Sequence, residues 1–371
     1  MFPAASEKYL KCVGFRDHLR AGLGNLYVKL PAMNYPLARA LFAAALAAIP
    51  NVAAAQLLDA LGTRAAGMGG AFVAVVDDAS AVYWNPGALA TGSYFSLVVD
   101  RNEGRTGITQ PAAGSRSGFL IALAAPALGL SYYRLRHATI TPPDLAEDGG
   151  QLGRNVIRPG EVRLNSLVTH HVGATIVQSL TDGIAVGATL KVVRGTAVSG
   201  IARDADRDAL LGDGVELLGD SQSKFDVDVG ILATSGSLRA GVTLRNLTEP
   251  DFETARDGRA LRLDRQARAG VALVVIRGWT IAADADLLKT RGPFGDTRDV
   301  AFGTEGRINR RAFLRGGFRF NTRGGTSRWR EASVSAGGSY AVRASFLVDA
   351  QVTTGSERSA RGWGIGGRFV Y

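Results

Sequence analysis

Cysteine is nearly missing from this chain, with Cys12 the only one in 371 residues. It lies upstream of a segment expected to be removed on export, so the mature protein has no thiols. Disulfide frameworks, zinc ribbons and cysteine nucleophiles are therefore excluded. Histidine is scarce as well, at four. His170 and His171 are neighbours in a strand-like run, so they face opposite sides and do not share a metal. His137 is the one other histidine of the mature chain. No Gly-x-Ser-x-Gly elbow occurs, and no Ser/His/Asp constellation offers itself for a lipid-modifying activity. The expectation is a protein that is not an enzyme and has no cofactor and no bound metal. The formal charge is +10, but arginine is spread singly, with no run of five or more. The basic stripe that nucleic acid requires is missing.

One apolar run stands near the start. "MNYPLARALFAAALAAIPNVAAAQ" begins at Met33, with Arg39 as the positive start, Ala40 to Ile49 as the apolar stretch, and Ala53-Ala54-Ala55 as a small-residue cleavage site before Gln56. That stretch falls short of the roughly 20 residues a spanning helix needs and reads as an export signal. Residues 1–32 read as an upstream leader or start-site artefact, and 33–55 as the signal peptide.

From about residue 93 onward the pattern has period two. "EASVSAGGSYAV" sets Ala332, Val334, Ala336, Tyr340 and Val342 against Glu331, Ser333, Ser335 and Ser339. "RASFLVDAQVT" sets Phe346, Val348, Ala350 and Val352 against Arg343, Ser345, Asp349 and Gln351. Alternation of this length is a strand with one apolar and one polar face. About fourteen such segments follow one another to the end of the chain. Long connections, near 101–117, 136–161, 196–222, 249–261, 289–297, 322–329 and 355–360, take turns with very short ones. That rhythm and an even strand number belong to an antiparallel transmembrane β-barrel, where only a closed sheet pairs every backbone group in lipid. The fold expected over 93–371 is therefore an all-β outer-membrane barrel. The last strand, "RGWGIGGRFVY", places Trp363, Ile365, Phe369 and Tyr371 on one face. Trp363, Phe369 and the terminal Tyr371 resemble the signal read by the barrel-assembly machinery, a partner this reading implies along with outer-membrane lipid.

Between signal and barrel lies "RAAGMGGAFVAVVDDASAVYWNPGALA". Phe72 stands where a dinucleotide loop needs its third glycine, and no strand precedes the segment. Asp77-Asp78, adjacent on an extended stretch, would point to opposite sides instead of converging as acid and base. The stretch is similar to the amino-terminal signature of the long-chain fatty-acid transporter superfamily, which includes FadL-like transporters and PorV- and TraF-like barrels. Arg64-Ala65, Gly70-Ala71, Asp77-Asp78 and Asn85-Pro86 carry the match. Gly87 replaces the usual alanine, and Tyr83-Trp84 is closer to the PorV-like branch. The resemblance implies that 56–92 forms a hatch inside the barrel, with Gly67, Gly69, Gly70, Asp77, Asp78, Asn85 and Pro86 as its characteristic residues. Small residues suit a segment with little room, and proline presets a turn.

The polar strand faces carry Arg239, Arg245, Arg268, Arg315, Arg319, Arg343 and Arg368, with Asp226, Asp228, Asp284, Asp286, Glu305 and Asp349. They read as a salt-bridged lumen, or as a basic path for a carboxylate or other anion. "FLIALAAPALGLSYY" is apolar on both faces, so its inner face meets the hatch or a hydrophobic ligand. Asp204, Asp206 and Asp208 imitate the start of a calcium loop, but Ala209 and Val215 stand where Gly and Glu are required. The resemblance implies a bacterial outer-membrane transporter of hydrophobic or amphipathic small molecules, reached by export through the periplasm. The alternative it leaves open is a PorV-like barrel that binds secreted proteins or an export machine.

Overall fold

The computed structural model describes residues 61–107, 112–142, 160–203, 207–212, 220–254, 260–276, 278–292, 295–323, 331–356 and 361–371. The leader, the signal peptide and the proposed cleavage site lie outside the described residues, as do Asp204 and Asp206.

Fourteen antiparallel strands close into one barrel. In chain order they are β1 (Ser96–Thr106), β2 (Ala113–Ala125), β3 (Leu128–Thr141), β4 (Glu161–Thr181), β5 (Ile184–Arg203), β6 (Ser221–Ser235), β7 (Leu238–Arg245), β10 (Gln266–Ile276), β11 (Trp279–Asp286), β14 (Asp299–Arg307), β15 (Ala312–Asn321), β16 (Ser333–Arg343), β17 (Phe346–Gly355) and β18 (Arg361–Val370). Each pairs with its neighbour in sequence, and β1 pairs with β18 to leave no edge. Two small hairpins, β8 (Asp251–Glu253) with β9 (Ala260–Arg262) and β12 (Thr290–Gly292) with β13 (Gly295–Thr297), lie within long connections. A short helix, Arg207–Leu211, lies in a third.

Strands appear where the alternation places them, but several run further toward the long-loop side. β1 continues to Thr106 and β2 starts at Ala113, so most of the loop expected over 101–117 is paired sheet. Alternation is weaker there because the extended ends leave the apolar zone and lose their outward hydrophobic residues. The tight turns use left-handed backbone at Gly183 (φ 84°) and Gly236 (φ 59°), where L side chains are disfavoured.

The wall is inside out compared with a water-soluble barrel. Val172, Ile176 and Val352 are each over 60% exposed on the outer face, while Arg268, Lys191 and Asp228 are buried on the inner one. An outward apolar band over a polar interior is the surface of a barrel immersed in lipid.

A hatch docked in the lumen

Residues 61–92 contain no strand. They form a helix over Thr63–Gly67, another over Ala81–Trp84, and a 3-10 helix over Pro86–Thr91. Nearly every residue from Leu61 to Ala88 is buried. Phe72, Val73, Val82, Tyr83 and Trp84 share one apolar cluster with Leu120, Ala122 and Ala124 of β2. The inner face of that doubly apolar strand therefore meets the hatch.

Close approach is made possible by glycines of the wall. Gly303 and Gly317 oppose each other across β14 and β15, Gly241 and Gly270 across β7 and β10, and Gly187 and Gly230 across β5 and β6. A Cβ on Gly303 would stand 2.6 Å from the Met68 carbonyl oxygen, and one on Gly317 would overlap the Gly69 amide. A Cβ on Gly230 would overlap the Asn85 side chain, and one on Gly241 would lie 3.0 Å from the Val73 carbonyl. Gly69 answers from the hatch side: its φ is 67°, and a Cβ there would be 2.9 Å from the Phe318 amide nitrogen. Glycine inside a strand weakens the strand but admits another backbone. These wall glycines were not singled out from sequence, although their inward phase in the alternation is a usable signal.

Polar contacts fix the hatch in place. Asp284 Oδ2 accepts hydrogen bonds from the Phe72 and Val73 amides at 2.8 and 2.9 Å. Asn85 Nδ2 donates to the carbonyls of Val73 (3.0 Å) and Ile231 (3.1 Å), and its Oδ1 accepts from the Gly87 amide at 3.1 Å. Pro86 opens the 3-10 helix at a position where no amide proton is needed. Arg239 donates to the Val75 and Val76 carbonyls at 3.1 and 3.2 Å.

A closed circuit of alternating charge joins hatch and wall. Arg64 grips Glu305 with two hydrogen bonds, and Glu305 also accepts from Arg315. Arg315 pairs with Asp349 (3.1 Å), Asp349 with Arg368 (2.6 Å), and Arg368 with Asp78 (3.2 Å). Asp78 returns to Arg64 at 3.1 Å, and Ser339 bridges Arg315, Asp349 and Arg368 from β16. Asp77 also pairs with Arg64. The two aspartates thus converge on one guanidinium, contrary to the extended geometry expected for them, because the chain bends at Asp78 and turns through Ala79-Ser80. Burial works against the charges of Arg64 and Asp78. Their partners outweigh it: Asp77, Glu305 and Asp78 raise the Arg64 pKa well above its usual value, and Arg64 and Arg368 hold Asp78 below the usual carboxylate value.

The remaining luminal arginines are also engaged. Arg268 pairs with Asp286 at 2.7 Å and donates to the Gly70 carbonyl, and Arg319 lies 3.7 Å from Asp299. Arg245 covers the Tyr83 ring at 3.6 Å and approaches Asp228 at 3.7 Å. Lys191, absent from the sequence-based set, is buried between Asp226 (3.0 Å) and Asp228 (2.7 Å). Arg343 does not join them. It is exposed beside the β16–β17 turn, where a register shift between Ala341 and Arg343 ends the alternation.

The β8–β9 hairpin occupies part of the outer half of the lumen. Phe252 of the β8–β9 hairpin packs against inward Leu167, Val193 and Ala197, and a Cβ on Gly195 would overlap its ring. Between the hatch and the outer strand ends a cavity of about 40 Å³ is lined by Asn102, Arg116, Arg319 and Gln351. A second of about 20 Å³ lies beside Tyr83, His171 and Arg245. His170 and His171 face opposite sides: His170 Nδ1 meets the Tyr132 hydroxyl at 2.9 Å, and buried His171 stacks on Tyr133 at 4.2 Å. At the seam, Trp363, Phe369 and Tyr371 face outward, and Tyr371 exchanges two backbone hydrogen bonds with Phe95.

Comparison with known proteins adds three findings. The family model described as "F plasmid transfer operon, TraF, protein" matches residues 161–286, from the start of β4 to the end of β11. No curated protein sequence matches the chain. Among solved structures, the monoaromatic hydrocarbon channel CymD aligns with a TM-score of 0.59 at 12% identity, covering 85% of this chain and 99% of that one. The P. putida toluene transporter TodX gives 0.56 at 12% identity, with 85% and 99% covered. A Pseudomonas aeruginosa FadL homologue gives 0.54 at 12% identity, with 87% and 99% covered. At this identity the likeness is one of fold.

Proposed function

We propose that the chain is an outer-membrane channel for hydrophobic or amphipathic small molecules, with residues 61–92 as its gate. One observation carries this reading: the lumen is blocked by a segment held through ion pairs and close packing, without strand pairing to the wall. The closed sheet pairs its own backbone, so the gate can leave while the wall stays intact. The fold shared with CymD, TodX and a FadL homologue, whose names describe hydrocarbon or toluene passage for the first two, supports the same class of solute. In this reading the outward aromatics Trp363, Phe369 and Tyr371 are the element read by the barrel-assembly machinery.

A second reading is a PorV-like barrel that presents its long connections to secreted proteins or an export machine. It is favoured by the small size of these two luminal cavities, about 40 and 20 Å³. Reconstitution in vesicles separates the two. A channel accelerates uptake of a hydrophobic fluorescent probe above that of protein-free vesicles, and uptake rises further when the hatch is loosened. If uptake equals that of empty vesicles for both wild type and loosened hatch, the channel reading fails.

A further inference from the structure

The outer face of β3, β4 and β5 carries cations that no carboxylate among the described residues answers. Register sets Arg134 opposite His170 and His170 opposite Arg194, so three side chains stand side by side on adjacent strands. Strands are about 4.8 Å apart, which places the two arginine positions roughly 10 Å from each other across the imidazole. The ring is steadied by Tyr132, whose hydroxyl lies 2.9 Å from His170 Nδ1. The row continues through Phe119 to Arg101, which is answered by Glu103 at 2.6 Å. Arg134 and Arg194 have no such partner among the described residues.

Their height in the wall is informative. From the tight turn after Thr181 back to His170, β4 climbs at about 3.3 Å per residue with a tilt of about 40°, which lifts His170 roughly 28 Å above the turn. The apolar band of such barrels is about 25 Å tall. The row therefore stands at the upper edge of the band, on the side of the long connections. Directly below it, Val172 and Val192 are 62% and 51% exposed, followed by Leu130 and Leu190. Unpaired guanidinium groups beside lipid are relieved by an anion, and planar guanidinium suits phosphate oxygens in particular.

We propose that Arg134, His170 and Arg194 form a binding site for the phosphate of a phosphorylated lipid in the outer leaflet, whose acyl chains lie along Val172, Val192, Leu130 and Leu190. The proposal rests on the outer-membrane placement argued above and is independent of whether the barrel conducts.

The test uses full-length protein in mild detergent with diphosphoryl lipid A as the probe, read by native mass spectrometry. Wild type should retain about tenfold more of it than Arg134→Gln/Arg194→Gln, and Arg134→Lys/Arg194→Lys should recover much of the difference. Heat-modifiable migration checks that each variant is folded. Arg194→Gln alone, at an exposed position, serves if the double variant is not folded. Equal retention by wild type and the folded glutamine variant would overturn the proposal. So would equal retention of the dephosphorylated lipid, which is acyl adhesion, or displacement by millimolar inorganic phosphate, which is a small-anion site. Hydrophobic-probe uptake into phosphatidylcholine vesicles should be the same for wild type and variant. Wild-type uptake no greater than that of protein-free vesicles, with lipid retained, sinks the channel reading alone, and recovery of the protein outside the outer membrane sinks the shared premise.

Discussion

Arg64 and Glu305, 241 positions apart in sequence, meet through paired hydrogen bonds of 2.9 Å (Nε to Oε2) and 2.6 Å (Nη2 to Oε1). The fork-to-fork geometry ties the first turn of the hatch to the middle of β14. Removing Arg64 leaves Glu305 and Asp78 short of a buried counter-charge, a change that costs about 3–5 kcal/mol in comparable buried pairs. Arg64→Met is expected to release the hatch from a folded barrel. Small-solute leakage from reconstituted vesicles should rise, and protease should cut within 61–92 while heat-modifiable migration persists. A variant as tight as wild type in both assays would show that the charge circuit does not hold the gate.

Gly317 and Gly316 are neighbours on β15 with opposite duties. A Cβ on Gly317 meets hatch backbone, whereas one on Gly316 meets only Thr304 Cγ2 at 3.8 Å. Gly317→Ala is expected to displace the hatch and increase leakage, and Gly316→Ala to leave leakage at the wild-type level. Equal behaviour of the two would remove the steric account of docking.

Acid should leave the contacts of Asp78 in place over a wide range. The folded pKa of Asp78 is depressed, so its contribution to docking is fully present above the ordinary aspartate value of about 3.9 and fades as pH falls through the lower folded value. The excess leakage of Asp78→Asn over wild type should hold from pH 7 to about pH 4 and shrink below it. Asp78→Asn should leak at every pH. Leakage of Asp78→Asn no greater than wild type at pH 7 would contradict this assignment.

Deletion of Phe369 to Tyr371 removes Tyr371's two hydrogen bonds to Phe95 and the edge-to-face contact of Phe369 with Phe95 at 6.1 Å. The shortened chain should reach the periplasm but fail to give a heat-modifiable band in outer-membrane fractions. A normal band would mean that the seam closes, and is recognised, without its last turn of contacts.

The barrel was legible because each strand announces itself locally, through alternation and through the length of the connection that follows. That the segment before the barrel lies in the lumen was expected only through the resemblance carried by Arg64-Ala65, Gly70-Ala71, Asp77-Asp78 and Asn85-Pro86. What the chain conceals is cross-strand. Gly187, Gly230, Gly241 and Gly303 look like ordinary strand glycines until register sets them beside the hatch. Lys191 sits between Leu190 and Val192, and only its pairing opposite Asp226 shows why a lysine can be buried there. Arg343 followed the alternation in sequence, but the shift at Ala341 broke that phase. Asp77 and Asp78 required knowledge of a bend that neither residue specifies alone.

The inward glycine pairs have a consequence for the vacated lumen. At those pairs the wall itself has no side chain to refill the space, although Arg239, Arg268 and Asp284 stand close by. Withdrawal would leave a bore whose width is set by the thickness of the departed main chain. At the glycine pairs its lining would be peptide groups already hydrogen-bonded along the sheet, while Arg239, Arg268, Asp284 and Glu305 would lose their hatch partners. A glycine-lined stretch of that kind resists an apolar solute little, because such a solute gives up no hydrogen bonds on entering it and meets none that must be broken before it leaves.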